Sequence, residues 1–167
     1  WSDEIGLCGG FWAHLYADVP VSESSDLDII IGGNSTGRIL KNLRMVLMWL
    51  KTRGDYIVVY KKRYMNVYFP GVSRYFQIFT TISPDLPCPV IDFIIDKFDV
   101  SCVYGFFNGT EHVMTKACRS IYNHKKWVFF QNYIYDHRLK KMTMKGYKVY
   151  GVNNEPENRE GIRRADF

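Results

Sequence analysis

Apolar residues recur along this chain in two rhythms. Over Thr36–Lys51, Ile39, Leu40, Leu43, Val46, Leu47 and Leu50 fall at i, i+1, i+4, i+7, i+8 and i+11, the spacing of an amphipathic helix. Lys41, Arg44 and Lys51 lie largely outside that stripe. Asn34-Ser35-Thr36 supplies capping side chains before it, and Lys51, Arg53 and Gly54 suit its end. Elsewhere the apolar runs have strand length. Leu27–Ile31 is almost wholly apolar, which predicts a strand buried on both faces. Tyr56–Tyr60, Met65–Phe69 and Arg74–Ile82 are rich in β-branched and aromatic residues. Separated by a basic turn and by Pro70-Gly71, they read as an antiparallel meander.

The remaining segments carry weaker patterns. Ile5–Ala17 reads as a glycine turn leading into a short helix, Val90–Lys97 as a short helix, and Phe98–Phe106 as a strand containing Asp99. Asn108-Gly109 is a hairpin signal. Thr115–Asn123 and the basic Asp136–Lys145, stopped by Gly146, read as helices; Trp127–Tyr135 fits either strand or helix, and Tyr147–Tyr150 a last extended segment. No repeat and no second domain is visible. The expectation is one α+β domain over residues 1–152, a mixed or antiparallel sheet with helices packed on it, followed by a polar tail over residues 153–167.

Composition adjusts this picture only in part. The chain has 167 residues, 47% of them hydrophobic, enough for a real core in one domain. Its 12 Tyr, 11 Phe and 4 Trp fit a packed sheet protein before they fit a stacking surface for bases. The net charge of +5 is compatible with a polyanionic partner. Its basic residues gather at 51–63, 116–126 and 138–148; the expectation is that most lie on solvated helix faces and strand ends, with a phosphate channel as the alternative for a minority. The four cysteines match no zinc spacing, and the four histidines have no metal-ligand spacing. No membrane-spanning stretch or signal peptide is apparent, so the expected location is intracellular, cytoplasmic or nuclear, with a virion as the alternative.

The candidate chemistry lies in Ser24-Ser25-Asp26-Leu27-Asp28-Ile29. Alternation along a strand puts Asp26 and Asp28 on one face. Adjacent carboxylates repel unless a cation joins them, and a hard ion such as Mg²⁺ favours oxygen ligands that it shares with substrate phosphates. Upstream, Gly9-Gly10 opens a helix and would let a triphosphate approach the backbone. Two-ion nucleotidyl transfer also calls for a third carboxylate from a neighbouring strand. Asp99, flanked by Phe98 and Val100, is the candidate; Asp92 and Asp96 fall on the polar side of a helix.

In Gly9-Gly10, Asp26-Leu27-Asp28 and Phe98-Asp99-Val100 the chain resembles the DNA polymerase β-like nucleotidyltransferase superfamily. Tyr75-Phe76-Gln77-Ile78-Phe79 and Arg138-Leu139-Lys140-Lys141 also look like divergent members found in large DNA viruses. The resemblance implies a single-domain nucleotidyltransferase-like fold. It further implies Mg²⁺-dependent transfer of a nucleoside monophosphate from a nucleoside triphosphate to a hydroxyl. Asp26, Asp28 and Asp99 would be the catalytic metal ligands, and Gly9, Gly10 and Ser25 would bind the nucleotide. Two alternatives stand beside it. One is a catalytically inactive subunit of the same fold with protein partners in a viral or other large assembly. The other is a nucleic-acid-binding module that uses the basic faces.

Overall fold

The computed structural model describes residues 3–21, 25–82, 87–98, 100–124, 127–129 and 136–150. In chain order these form β1 (Ile5–Cys8), α1 (Gly9–Ala17), β2 (Leu27–Ile31), α2 (Thr36–Lys51), β3 (Ile57–Tyr60), β4 (Tyr64–Tyr68), β5 (Tyr75–Thr80) and α3 (Val90–Lys97). A 3₁₀ turn (Ser101–Val103), β6 (Gly105–Phe107), β7 (His112–Met114), α4 (Lys116–His124), β8 (Trp127–Phe129), α5 (Asp136–Met144) and β9 (Lys148–Tyr150) follow. The first seven strands make one mixed sheet in the order β3-β4-β5-β2-β1-β6-β7, and β8 pairs with β9 apart from it. Among the described residues only β2 and β5 run parallel within the large sheet; its other pairs are antiparallel.

β2 explains the layering. Its side chains alternate between faces, and both faces are covered. Ile29 and Ile31 point to one layer, where α2 contributes Ile39, Val46 and Leu50 to a cluster that also holds Val67 and Ile78. Ile30 points to the other layer, among Trp12 and Ala13 of α1, Val90 and Ile94 of α3, and Tyr104 and Phe106. An apolar run without polar alternation is therefore what this central strand requires. Asp26 and Asp28 share the face of Ile30, at the end of the strand where α1 begins.

α2 matches the range read from the sequence, with the Ser35 hydroxyl accepting from the Arg38 N–H at 3.3 Å. Its apolar stripe is narrower than expected: Ile39, Val46 and Leu50 are buried, Leu43 and Leu47 are half-buried, and Leu40 is 51% exposed. The start of α2 is tied to β1. Arg38 Nε and Asn42 Nδ2 donate to Glu4 Oε2 at 2.6 and 3.1 Å, and the Gly32 N–H donates to the Glu4 carbonyl at 2.7 Å.

Two expectations are corrected. Ile5–Cys8 is a strand, not a turn, because its alternate residues pack on both layers and its four residues pair with residues 28–31 of β2. Phe98–Phe106 is not one strand. Val100 and Cys102 are drawn into a small cluster with Ile121 and Met142, and the chain turns at Ser101–Val103 before β6 begins. β6 then pairs with β1, not with β2. Close approach fixes this arrangement: a Cβ on Gly105 would lie 2.4 Å from the Trp12 ring. Trp12 itself is fully buried, stacks on Tyr16 at 5.5 Å and donates Nε1–H to His112 Nδ1 at 3.1 Å. The aromatic residues thus serve the core here. Residues 151–167, which include the whole of the expected tail over 153–167, lie outside the described residues.

Candidate nucleotide site

Strand register builds the site. Asp28 pairs with Cys8 of β1 on one side and with Gln77 of β5 on the other, and Gln77 pairs in turn with Asn66 of β4. Residues in register project to the same face. Cys8, Asp28, Gln77 and Asn66 therefore form a row across four strands, with Asp26 just before the start of β2. Gln77 Nε2 donates to Asn66 Oδ1 at 3.4 Å, and Asn66 Nδ2 donates to the Tyr68 hydroxyl at 2.9 Å.

Gly9 closes against this row. It sits at φ +69°, a left-handed conformation that favours glycine. A Cβ there would lie only 1.9 Å from Asp28 Oδ2, so the carboxylate occupies the space that any other residue would need. Gly10 is open by comparison; a Cβ there would meet Lys145 Nζ at 3.6 Å. The first turn of α1 thus runs past Asp28, and amides at a helix start attract anions.

These residues line a cleft of about 1330 Å³, with Gly9, Gly10, Ser25, Asp26, Asp28 and Gln77 among its walls. That is ample for a nucleotide, since ligand sites commonly span roughly 300–1,000 Å³. Cations outnumber anions around it. Lys61, Lys62 and Arg63 come from the turn between β3 and β4, Lys97 from the end of α3, and Lys141 and Lys145 from α5 and the turn after it. Among the described residues Asp96 is the remaining acid on the cleft wall, and it is paired with Lys97 at 2.5 Å.

Local electrostatics report the carboxylates. Burial raises the Tyr75 phenol above its ordinary value, and the charges of Asp26 and Asp28 add to this. Burial, then the Asp28 charge, pushes the Cys8 thiol up, so it is no nucleophile at neutral pH. Burial lowers the Lys145 ammonium, helped by the charge of Lys141, and a phosphate beside it would reverse that effect.

Of the residues expected from sequence, Gly9, Gly10, Ser25, Asp26 and Asp28 come together in this cleft, whereas Asp99 lies outside the described residues. Asp26 and Asp28 are hard oxygen donors that fit one Mg²⁺ sharing its other positions with phosphate and water. Among the described residues no group of three His, Cys, Asp or Glu side chains could hold a metal. Sequence reasoning missed Gln77 and Asn66, although a signal existed. Each is a lone amide in the middle of an otherwise apolar strand, Tyr75-Phe76-Gln77-Ile78-Phe79 and Tyr64-Met65-Asn66-Val67-Tyr68.

No family model and no curated protein matches the chain. Solved structures do match it. A CCA-adding enzyme in an apo form is similar at TM-score 0.58 and 12% identity, over 89% of this chain and 36% of that one. A tRNA-processing enzyme in an apo form (0.57, 11%, 87% and 39%) and a tRNA-processing enzyme complex (0.57, 12%, 87% and 40%) are similar too. The fold is nucleotidyltransferase-like. The chain spans about two fifths of the length of those proteins. Among the described residues no helix is long and apolar enough to cross a membrane.

Proposed function

We propose that this domain binds a nucleoside triphosphate as its Mg²⁺ complex, in the arrangement from which nucleotidyltransferases pass a nucleoside monophosphate to a hydroxyl acceptor. The observation that carries this reading is the Asp26–Asp28 pair beside Gly9, at the start of a helix and inside a cleft with a basic wall. Asp26 and Asp28 would hold the cation, which when bound neutralises phosphate charge. The amides at Gly9 and Gly10 would face the phosphates, and Ser25 would hydrogen-bond to them. Lys61, Lys62, Arg63, Lys141 and Lys145 would balance the charge left over. A triphosphate matches this mixture because it needs a cation at one end and hydrogen-bond donors along its length. The related folds belong to CCA-adding and tRNA-processing enzymes, which supports a polynucleotide hydroxyl as the acceptor class. A second reading, a domain that keeps the nucleotide without transferring it, is favoured by one observation: the residue in register beside Asp28 is the neutral Gln77.

A fluorescent nucleoside triphosphate titrated with and without Mg²⁺ tests the first reading. Binding is expected to require Mg²⁺ and to weaken at least about tenfold in Asp26→Asn and in Asp28→Asn, a loss of roughly 1.4 kcal/mol or more. The metal-free melting temperature of both variants should stay level or rise, because each removes a charge from a repelling pair. Binding that ignores Mg²⁺ and both substitutions would overturn the proposal.

A further inference from the structure

Resting on the nucleotide site just proposed, the geometry points to a narrower property: the cleft takes one divalent cation with its nucleotide, not two, and Gln77 sets that number. A β-strand inside a sheet has two neighbours, and for β2 they are β1 and β5. A carboxylate able to share a second ion with Asp28 would come most directly from the positions in register with it. One of these is Cys8, which is fully buried and donates its Sγ–H to the Gly6 carbonyl at 3.2 Å. The other is Gln77, on the same face and on the wall of the same cleft.

Gln77 has the length to reach a bound ion but brings no charge. Its amide nitrogen is engaged by Asn66, which is itself oriented by Tyr68. This polar chain is satisfied without a metal, and it continues across β4, where a carboxylate would find another neutral amide. Asp26 and Asp28 carry two negative charges, enough for one divalent ion. A second ion would enter a cleft already lined by Lys61, Lys62, Arg63, Lys141 and Lys145, where among the described residues the one carboxylate besides Asp26 and Asp28 is Asp96, paired with Lys97. In two-ion transfer one cation serves the leaving phosphates and the other the attacking hydroxyl. With one ion the nucleotide is held without the cation that would serve the attacking hydroxyl, so of the two readings above this inference selects the second, a domain that keeps the nucleotide without transferring it.

The test counts bound Mn²⁺ by electron paramagnetic resonance in the whole chain, with a non-hydrolysable α,β-methylene nucleoside triphosphate. Wild type and Gln77→Ala should each hold one ion per chain with the nucleotide. Gln77→Asp should hold two, the second appearing only in that variant. Two ions in wild type, falling to one in Asp99→Asn, would overturn the inference by naming a different third ligand. One ion in Gln77→Asp, with nucleotide still bound and the variant folded by circular dichroism, would overturn it as well. Wild type that binds neither Mn²⁺ nor the analogue would overturn the nucleotide site itself, an outcome distinct from nucleotide bound with two ions.

Discussion

Gly9→Ala isolates the contact on which the site is built. Gly9 sits at φ +69°, and the missing Cβ position is 1.9 Å from Asp28 Oδ2. Two costs follow. Holding an alanine in the left-handed region costs about 1–2 kcal/mol. Relieving the overlap forces the Asp28 side chain from its rotamer, about 0.5–1.5 kcal/mol. The alanine also restricts the unfolded chain, which returns roughly 0.4–1 kcal/mol. The net expectation is a destabilisation of roughly 0.5–3 kcal/mol together with loss of Mg²⁺-dependent nucleotide binding, because the displaced carboxylate is the proposed ligand. Gly10→Ala is the control. Among the described residues its Cβ would meet only Lys145 Nζ, at an ordinary contact distance of 3.6 Å, and alanine in a helix is favoured by up to about 1 kcal/mol over glycine. Urea denaturation of both variants gives the comparison. A double-mutant cycle with Asp28→Ala then separates backbone strain from the overlap, with an expected coupling of about 0.5–1.5 kcal/mol. Equal stability of Gly9→Ala and wild type, or additivity in the cycle, would refute the reasoning that the Asp28 carboxylate is what excludes a side chain at residue 9.

Two further expectations concern the frame that holds the site. Leu50→Ala removes a fully buried side chain of α2 and should cost about 2–5 kcal/mol in chemical denaturation. Half-buried Leu47 should cost less, and exposed Lys41→Ala should stay within about 0.5 kcal/mol; equal losses at Leu50 and Lys41 would mean that the helix is turned differently. Glu4 is held below its ordinary value by hydrogen bonds from Asn42 and Arg38. A carboxylate depressed in the folded state stabilises the fold above its unfolded value and loses that contribution as the pH falls through the folded one. Thermal melts from about pH 7 to about pH 3 should therefore show wild type losing stability in acid more steeply than Glu4→Gln, and parallel curves would contradict this.

The chain by itself determined the elements whose signals are local. The apolar period of α2, the stop near Gly54, the buried run of β2 and the helix at Val90–Lys97 each follow from side chains within one segment, and all four stand where the residues place them. Asp26 and Asp28 were legible as candidate ligands for the same reason, since alternation along one strand is enough to put them on one face. What the tertiary structure decided was who stands beside them. Ile5–Cys8 is too short to declare itself a strand, and it became one by pairing with β2. Phe98–Phe106 alternates well enough for a strand, yet packing of Val100 and Cys102 against Ile121 and Met142 broke it. The neighbours of Asp28, Cys8 twenty residues before and Gln77 forty-nine after, were set by strand order and register, and a period within one strand carries no information about either. The charge of the site follows from that register: one more acid in the row would make it a different site, and only the pairing of β2 with β5 shows that the position holds an amide.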